Sequence, residues 1–226
     1  MEQNIVPSHV KNTKKLSTLD EIKLNPFVWH YLANYYLGKT DAISLATVAV
    51  LPRILGTSIS TTFGKQMQKF IITVLDNVSG SAIPGIDIEY DDAIDGRKKY
   101  CQVKSGPQSL NKDDITTIKN HFRDAKNRAR TNSLPTQEDD WVFAMIYGEP
   151  SEYNVFVREL AEGYVVYCGK DFWYRLTGDR DFYLDLAKAM AEVTIPEDSK
   201  DIVKETIEKL ARDIESNYPE LDDGAE

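Results

Sequence analysis

The sequence predicts an α/β fold, a mixed central sheet flanked by helices and preceded by a helical N-terminal region. Three observations carry that expectation. Two short stretches, 85–90 and 99–104, alternate apolar and polar residues with the period of a strand, on either side of a turn. The run 141–147, Trp-Val-Phe-Ala-Met-Ile-Tyr, is almost continuously apolar, as in a strand covered on both faces. Residues 25–75 and 111–130 repeat apolar side chains at intervals of three and four, the helical period. With 226 residues the chain can bury one sizeable core, and it is read as a single domain. Within it, 1–24 is an arm, 25–75 a helical region, 83–193 an α/β core and 196–226 an acidic helix and tail.

Taken in order, residues 1–24 are polar and lysine-flecked, without a firm period. Asn25-Pro26 can cap and open a helix. Its apolar face holds Phe27, Tyr31 and Tyr35 with Trp29, Leu32 and Tyr36, read as core aromatics. A second helix is expected over 41–51, a loop over 55–62, and a helix from Phe63 to Leu75 with the stripe Phe63, Met67, Phe70, Ile71, Val74. Residues 77–84 are a loop into the first motif strand. Asn111 caps a long helix to about Arg130, with acids in its first turn and Ile115, Ile118, Phe122 and Ala125 inward. Short strands are expected at 155–158 and 164–168, and a helical turn over 171–176. A helix follows over 181–193, with Phe182, Leu186, Ala189 and Met190 inward, and a last amphipathic helix covers 198–217.

Composition excludes several classes. No run of about 18 apolar residues exists to span a membrane. Two cysteines, Cys101 and Cys168, lie inside apolar runs and read as buried thiols suited to a reducing cytoplasm. Three scattered histidines offer no zinc spacing. No phosphate-cradling GxxxxGK[ST] or dinucleotide GxGxxG occurs, and 91–102 lacks two of the acids of a calcium loop.

Net charge is −9, yet its distribution is uneven. Residues 97–130 hold ten Lys or Arg against three Asp, a local +7, while 196–226 hold eleven acids against four bases, a local −7. A basic middle on an acidic chain is what a nucleic-acid face looks like, and equally what solvated helix surfaces of either sign look like. The candidates for phosphate contact are Lys65 and Lys69 on one helix and Lys112, Lys119, Arg123, Lys126, Arg128 and Arg130 on another.

The chemistry-bearing residues sit on the two motif strands. Alternation puts Asp87 and Glu89 on one face of the first and Gln102 and Lys104 on one face of the second. If those faces coincide, two carboxylates, an amide and an ammonium converge, an oxygen-rich site for a hard cation. The same residues would also make the solvent side of an edge strand, with Lys104 a salt-bridge partner.

This pattern, Asp87 followed by Gln102-Val103-Lys104, resembles the PD-(D/E)xK nucleases, with Gln102 where that pattern carries an acid. Phe63-Gly64-Lys65 and Gly169-Lys170-Asp171-Phe172-Trp173 are similar to stretches in type II restriction endonucleases that cut GGNCC-type palindromes. The resemblance runs from about residue 25 to about 190 and implies a restriction-endonuclease-like fold. It further implies a Mg²⁺-dependent endonuclease acting on double-stranded DNA as a homodimer, in a prokaryotic cytoplasm, with a cognate DNA methyltransferase as genetic partner. Asp87 and Gln102 would hold the metal, Lys104 would serve the attacking water, and Glu89 could supply charge that Gln102 lacks. In many relatives the helix before the motif offers an extra Glu, where this chain has Gln66 and Gln68. The alternatives are a repair or junction-resolving nuclease of the same fold, or a non-catalytic DNA-binding module.

Overall fold

A computed structural model describes residues 2–23, 25–192 and 199–221. The chain divides into two compact units, one of residues 1–66 with 193–226 and one of residues 67–192. Nothing in composition marks the boundary, because it falls inside a continuous helix.

The first unit is helical: α1 (Glu2–Lys15), α2 (Pro26–Leu37), α3 (Ala42–Pro52), a π-helical stretch (Arg53–Ser58), the start of α4 (Ile59–Val74) and α9 (Ser199–Asn217). Its starts follow capping chemistry. The Asn25 side chain accepts from the Val28 N–H and Gly38 closes α2 at φ 71°. Asp41 accepts from the Ser44 N–H at 2.8 Å. Leu16, Ile22, Trp29, Leu45, Val50, Leu210 and Ile214 share its core. The arm expected over 1–24 is thus helical over Glu2–Lys15, with Thr13 and Leu16 buried. Its polar composition hides a narrow inward stripe. The loop expected at 55–62 is also helical, since Ser and Thr there carry no apolar period to reveal it.

The second unit carries a five-stranded sheet in the order β1 (Val78–Gly80), β2 (Ile88–Asp91), β3 (Lys98–Lys104), β4 (Trp141–Met145), β5 (Val165–Cys168). The first two pairings are antiparallel, and β3–β4–β5 run parallel. The β2–β3 reversal is the Asp-Gly turn read from sequence. Gly96 sits at φ 69° and its N–H bonds Asp92 O at 2.8 Å, while Asp92 Oδ1 accepts from the Ile94 N–H. Parallel strands need crossovers, supplied by α5 (Lys112–Thr131) between β3 and β4 and by α6 (Val155–Ala161) between β4 and β5. All of β4 is buried, as its apolar run requires. On one sheet face Tyr100, Phe143 and Met145 pack with Ile118, Phe122 and Ala125 of α5. On the other, Tyr90 meets Phe172 of α7 (Gly169–Thr177) edge-on at 6.5 Å.

Three local expectations are corrected here. Residues 155–158 are helical, because the Asn154 side chain caps the Phe156 and Val157 N–H groups and Val157 and Leu160 turn inward. Cap chemistry overrides the β-propensity of Val-Phe-Val. The 77–84 loop contains β1, three residues too short to show a period. α8 (Phe182–Ala191) buries none of its residues, and Ala189 is exposed.

Candidate active site

The antiparallel β2–β3 register brings the start of one strand beside the end of the other. Ile88 pairs with Cys101 and Glu89 with Tyr100, so Asp87 stands opposite Gln102, and its N–H bonds Cys101 O at 2.9 Å. Lys104 follows Gln102 on the same face. Asp87, Glu89, Gln102 and Lys104 therefore share one sheet face, as the alternation predicts. That face belongs to neither an edge strand nor open solvent. β2 lies between β1 and β3, and α5 covers the rows beyond Gln102 and Lys104.

Asp87 is anchored by its own strand pair. Its Oδ2 accepts from the Val103 N–H at 2.7 Å, taking the donor that the next ladder rung would have used. Burial raises its carboxyl above the ordinary carboxylate range, and the Val103 N–H, the Lys104 charge and His121 pull the other way. Gln102 Oε1 is buried and has no hydrogen-bond partner. A buried amide oxygen left bare costs about 1–3 kcal/mol, so a donor or cation is the natural complement. Glu89 Oε1 accepts from Ser81 Oγ at 2.8 Å, which ties it to the β1 side.

Two residues that sequence reasoning passed over complete the surroundings, both on α5. Asp114 Oδ1 lies 3.4 Å from Lys104 Nζ, while its Oδ2 accepts from the Asn111 N–H in a capping box. Sequence showed a first-turn acid and no tertiary partner. His121 lies close against Gly85: a Cβ added there would fall 2.2 Å from its ring. Gly85 also holds φ 84°, so the position admits no side chain on two counts. The His121 Nδ1 is buried without a hydrogen-bond partner. A lone histidine has no spacing signal, and only the packing of α5 on the sheet reveals it. Gln68 of α4 donates to Val103 O at 3.1 Å, so one of the two glutamines on that helix does reach the motif strand.

The cations divide. At 100° per residue, α5 turns Arg128 to the same edge as Asp114 and His121, and Lys112, Arg123 and Arg130 to the opposite edge. All four are exposed. Lys119 points to the other edge and pairs with Glu159 at 2.7 Å. Lys126 pairs with Glu138 and lies 5.0 Å over the Tyr164 ring. Lys65 and Lys69 are exposed on α4. Among the described residues no group of three or more His, Cys, Asp or Glu is placed to hold a metal ion. A catalytic Mg²⁺ site does not need one, because it uses one or two carboxylates with waters and substrate phosphates.

The family model for type II restriction endonuclease EcoO109I matches residues 1–197. The chain belongs to that family. Its members are site-specific deoxyribonucleases. The mixed sheet flanked by helices, with a helical N-terminal region, is consistent with that fold. No curated protein matches this endonuclease. Among the described residues no helix is long and apolar enough to cross a membrane.

Proposed function

We propose that this endonuclease hydrolyses both strands of a short GGNCC-like palindrome, using Mg²⁺ held by Asp87 and Gln102. The observation that carries the reading is the pair on facing strands: a carboxylate raised by burial opposite a buried amide oxygen with no partner. Each lacks what a cation would supply, and their oxygens are the donors that Mg²⁺ prefers. When bound, the ion provides Lewis acidity toward a phosphate oxygen and lowers the pKa of its water.

The chain does the rest. The Val103 N–H fixes the plane of the Asp87 carboxyl. Lys104 orients the attacking water and offsets charge that develops on the phosphate, and Asp114 steadies its ammonium. Glu89 is the reserve carboxylate on the same face, two residues from Asp87. Lys65, Lys69, Lys112, Arg123, Arg128 and Arg130 are exposed and suited to phosphate contacts. Lys119 and Lys126 join them only by leaving Glu159 and Glu138. A palindrome is read most simply by a two-fold homodimer. Such an enzyme works in a prokaryotic cytoplasm, beside a methyltransferase that protects the host's own sites.

Digestion of a sequenced plasmid with and without Mg²⁺ tests this. Discrete fragments that end at one palindromic sequence, and appear only with the metal, are expected. Cleavage in the presence of chelator, or at no defined sequence, would overturn it.

A further inference from the structure

We infer that Lys170 and Asp171, at the start of α7, read a G·C base pair beside the scissile phosphate, Lys170 at guanine and Asp171 at cytosine. This deepens the proposed reading and rests on its GGNCC-like duplex. The stretch Gly169–Trp173 stands out in the sequence, and the proposed catalysis leaves it without a role. The sheet fixes where it lies. Lys104, Met145 and Cys168 form one row across the C-terminal ends of β3, β4 and β5. Strands lie about 4.8 Å apart, so Cys168 stands ~10 Å from Lys104, and α7 starts with the next residue. On duplex DNA ~10 Å spans about three base pairs. A phosphate held at Lys104 therefore leaves its neighbouring base pairs within reach of Lys170 and Asp171.

The loops that follow these three strands interlock. A Cβ on Gly106 would fall 2.3 Å from the Tyr147 ring, one on Gly148 2.6 Å from the Pro107 ring, and one on Gly169 2.3 Å from Gly148 O. Trp173 Nε1 donates to Ile146 O at 2.8 Å, and the Ile146 N–H to Lys104 O at 3.0 Å. The start of α7 is thus held in register with the catalytic strand, the precision that base reading needs.

Charge separates base reading from phosphate binding. The loops enclose a cavity of about 680 Å³ whose charged lining is Glu149, Glu152, Lys170 and Asp171. Three carboxylates against one ammonium leave it at −2, which repels phosphate. On DNA only the amino groups of bases reward a carboxylate, and Asp or Glu accepts from cytosine N4 while Lys donates to guanine O6 and N7. Glu152 already accepts from the Glu149 N–H at 2.8 Å. Asp171 has Arg175 Nε no nearer than 4.0 Å, and Lys170, exposed, pairs with none of the three acids among the described residues. Side by side on α7, the two offer a free donor next to a lightly held acceptor, the complement of a G·C pair.

Duplexes carrying GGNCC test this by removing one base atom or group at a time. 7-Deazaguanine lacks the N7 acceptor, and 2-pyrimidinone lacks the amino group of cytosine. Wild-type cleavage should fall about 10–100-fold when either stands at the position read. Lys170→Met should cut the unmodified duplex more slowly and show no further penalty with 7-deazaguanine. Asp171→Ala should behave likewise toward 2-pyrimidinone. Both positions are exposed, so the circular-dichroism spectrum of each variant should match the wild type.

A wild type indifferent to both analogues, or penalties that persist in the matching variant, would overturn the inference. So would a Lys170→Met protein that loses affinity equally for every duplex and lowers the salt slope by about 1, the signature of a phosphate contact. Binding isotherms with chelator make the same comparisons without cleavage. A protein that shows these penalties in binding yet cuts nothing with Mg²⁺ would sink the nuclease reading and leave the base contacts standing. One that binds GGNCC no better than a duplex of A·T pairs alone would sink the base contacts, whether or not it cuts DNA.

Discussion

At Asp87, burial favours the neutral carboxyl while the proposed chemistry needs the carboxylate. A group whose pKa is raised in the folded state adds stability below its unfolded value and loses it as pH rises through the folded one. In metal-free protein Asp87→Asn removes that loss and keeps an acceptor for the Val103 N–H. Its melting temperature should exceed that of the wild type at neutral pH, with the gap closing as pH falls toward the ordinary value of 3.8. Thermal melts with chelator over that range check it, and a gap independent of pH would be the contrary result. Cleavage by the same variant should fall by ~100-fold or more, about 2.7 kcal/mol of barrier. Gln102 separates a ligand from a bystander. Gln102→Leu keeps bulk and removes the unpartnered oxygen, so its cleavage should need markedly more Mg²⁺, whereas Gln102→Glu should need less. Mg²⁺ titrations of both against wild type decide this, and a Gln102→Leu curve that overlays the wild type would shift the second-ligand role to Glu89.

The β2–β3 hairpin depends on a buried ion cluster behind its turn. Lys99 is fully buried, with Asp95 at 2.7 Å and Asp140 at 3.1 Å. Arg97 also pairs with Asp140 at 2.9 Å. Removing one partner of a buried pair leaves the other uncompensated, at a cost of about 3–5 kcal/mol. Because Arg97 still serves Asp140, Lys99→Met should cost ~3 kcal/mol, read from denaturant unfolding of the intact protein. A loss under about 1 kcal/mol would mean that the pair behaves as a surface bridge. The α5 helix has a different division of labour. Its cap holds Lys104 through Asp114, its middle holds His121 against Gly85, and the edge away from Asp114 carries exposed cations, of which Arg123 lies 3.5 Å from Asp124.

Across the whole molecule the net charge of −9 opposes DNA binding, so affinity must come from local cations. Each phosphate neutralised on duplex DNA adds about 0.9 to the slope of log affinity against log salt. Replacing Lys112, Arg123, Arg128 and Arg130 by Ala together should lower that slope by ~3–4. Replacing Lys119 and Lys126, already paired with Glu159 and Glu138, should lower it by less than ~1. Binding isotherms at several salt concentrations distinguish the two sets, and equal effects would mean that the intramolecular pairs open on DNA.

The site's face and the strand pair were legible in the chain itself. Period-two alternation fixes which side chains share a face, and the Asp-Gly turn fixes where the chain reverses, so Asp87, Gln102 and Lys104 could be grouped before any coordinates. The capped helices α2, α3 and α5 were legible for the same local reason. Non-local placement was not. Asp114 beside Lys104, His121 against Gly85 and the bare Gln102 oxygen arise from how α5 settles on the sheet, which depends on shape across many residues. The aromatic period of α2 was plain in the sequence, but period alone says only that a helix has an apolar face. Whether that face is inside depends on which neighbours arrive to cover it, and here tertiary packing covered Trp29 and Ala33 and left Phe27, Tyr31 and Tyr35 outside.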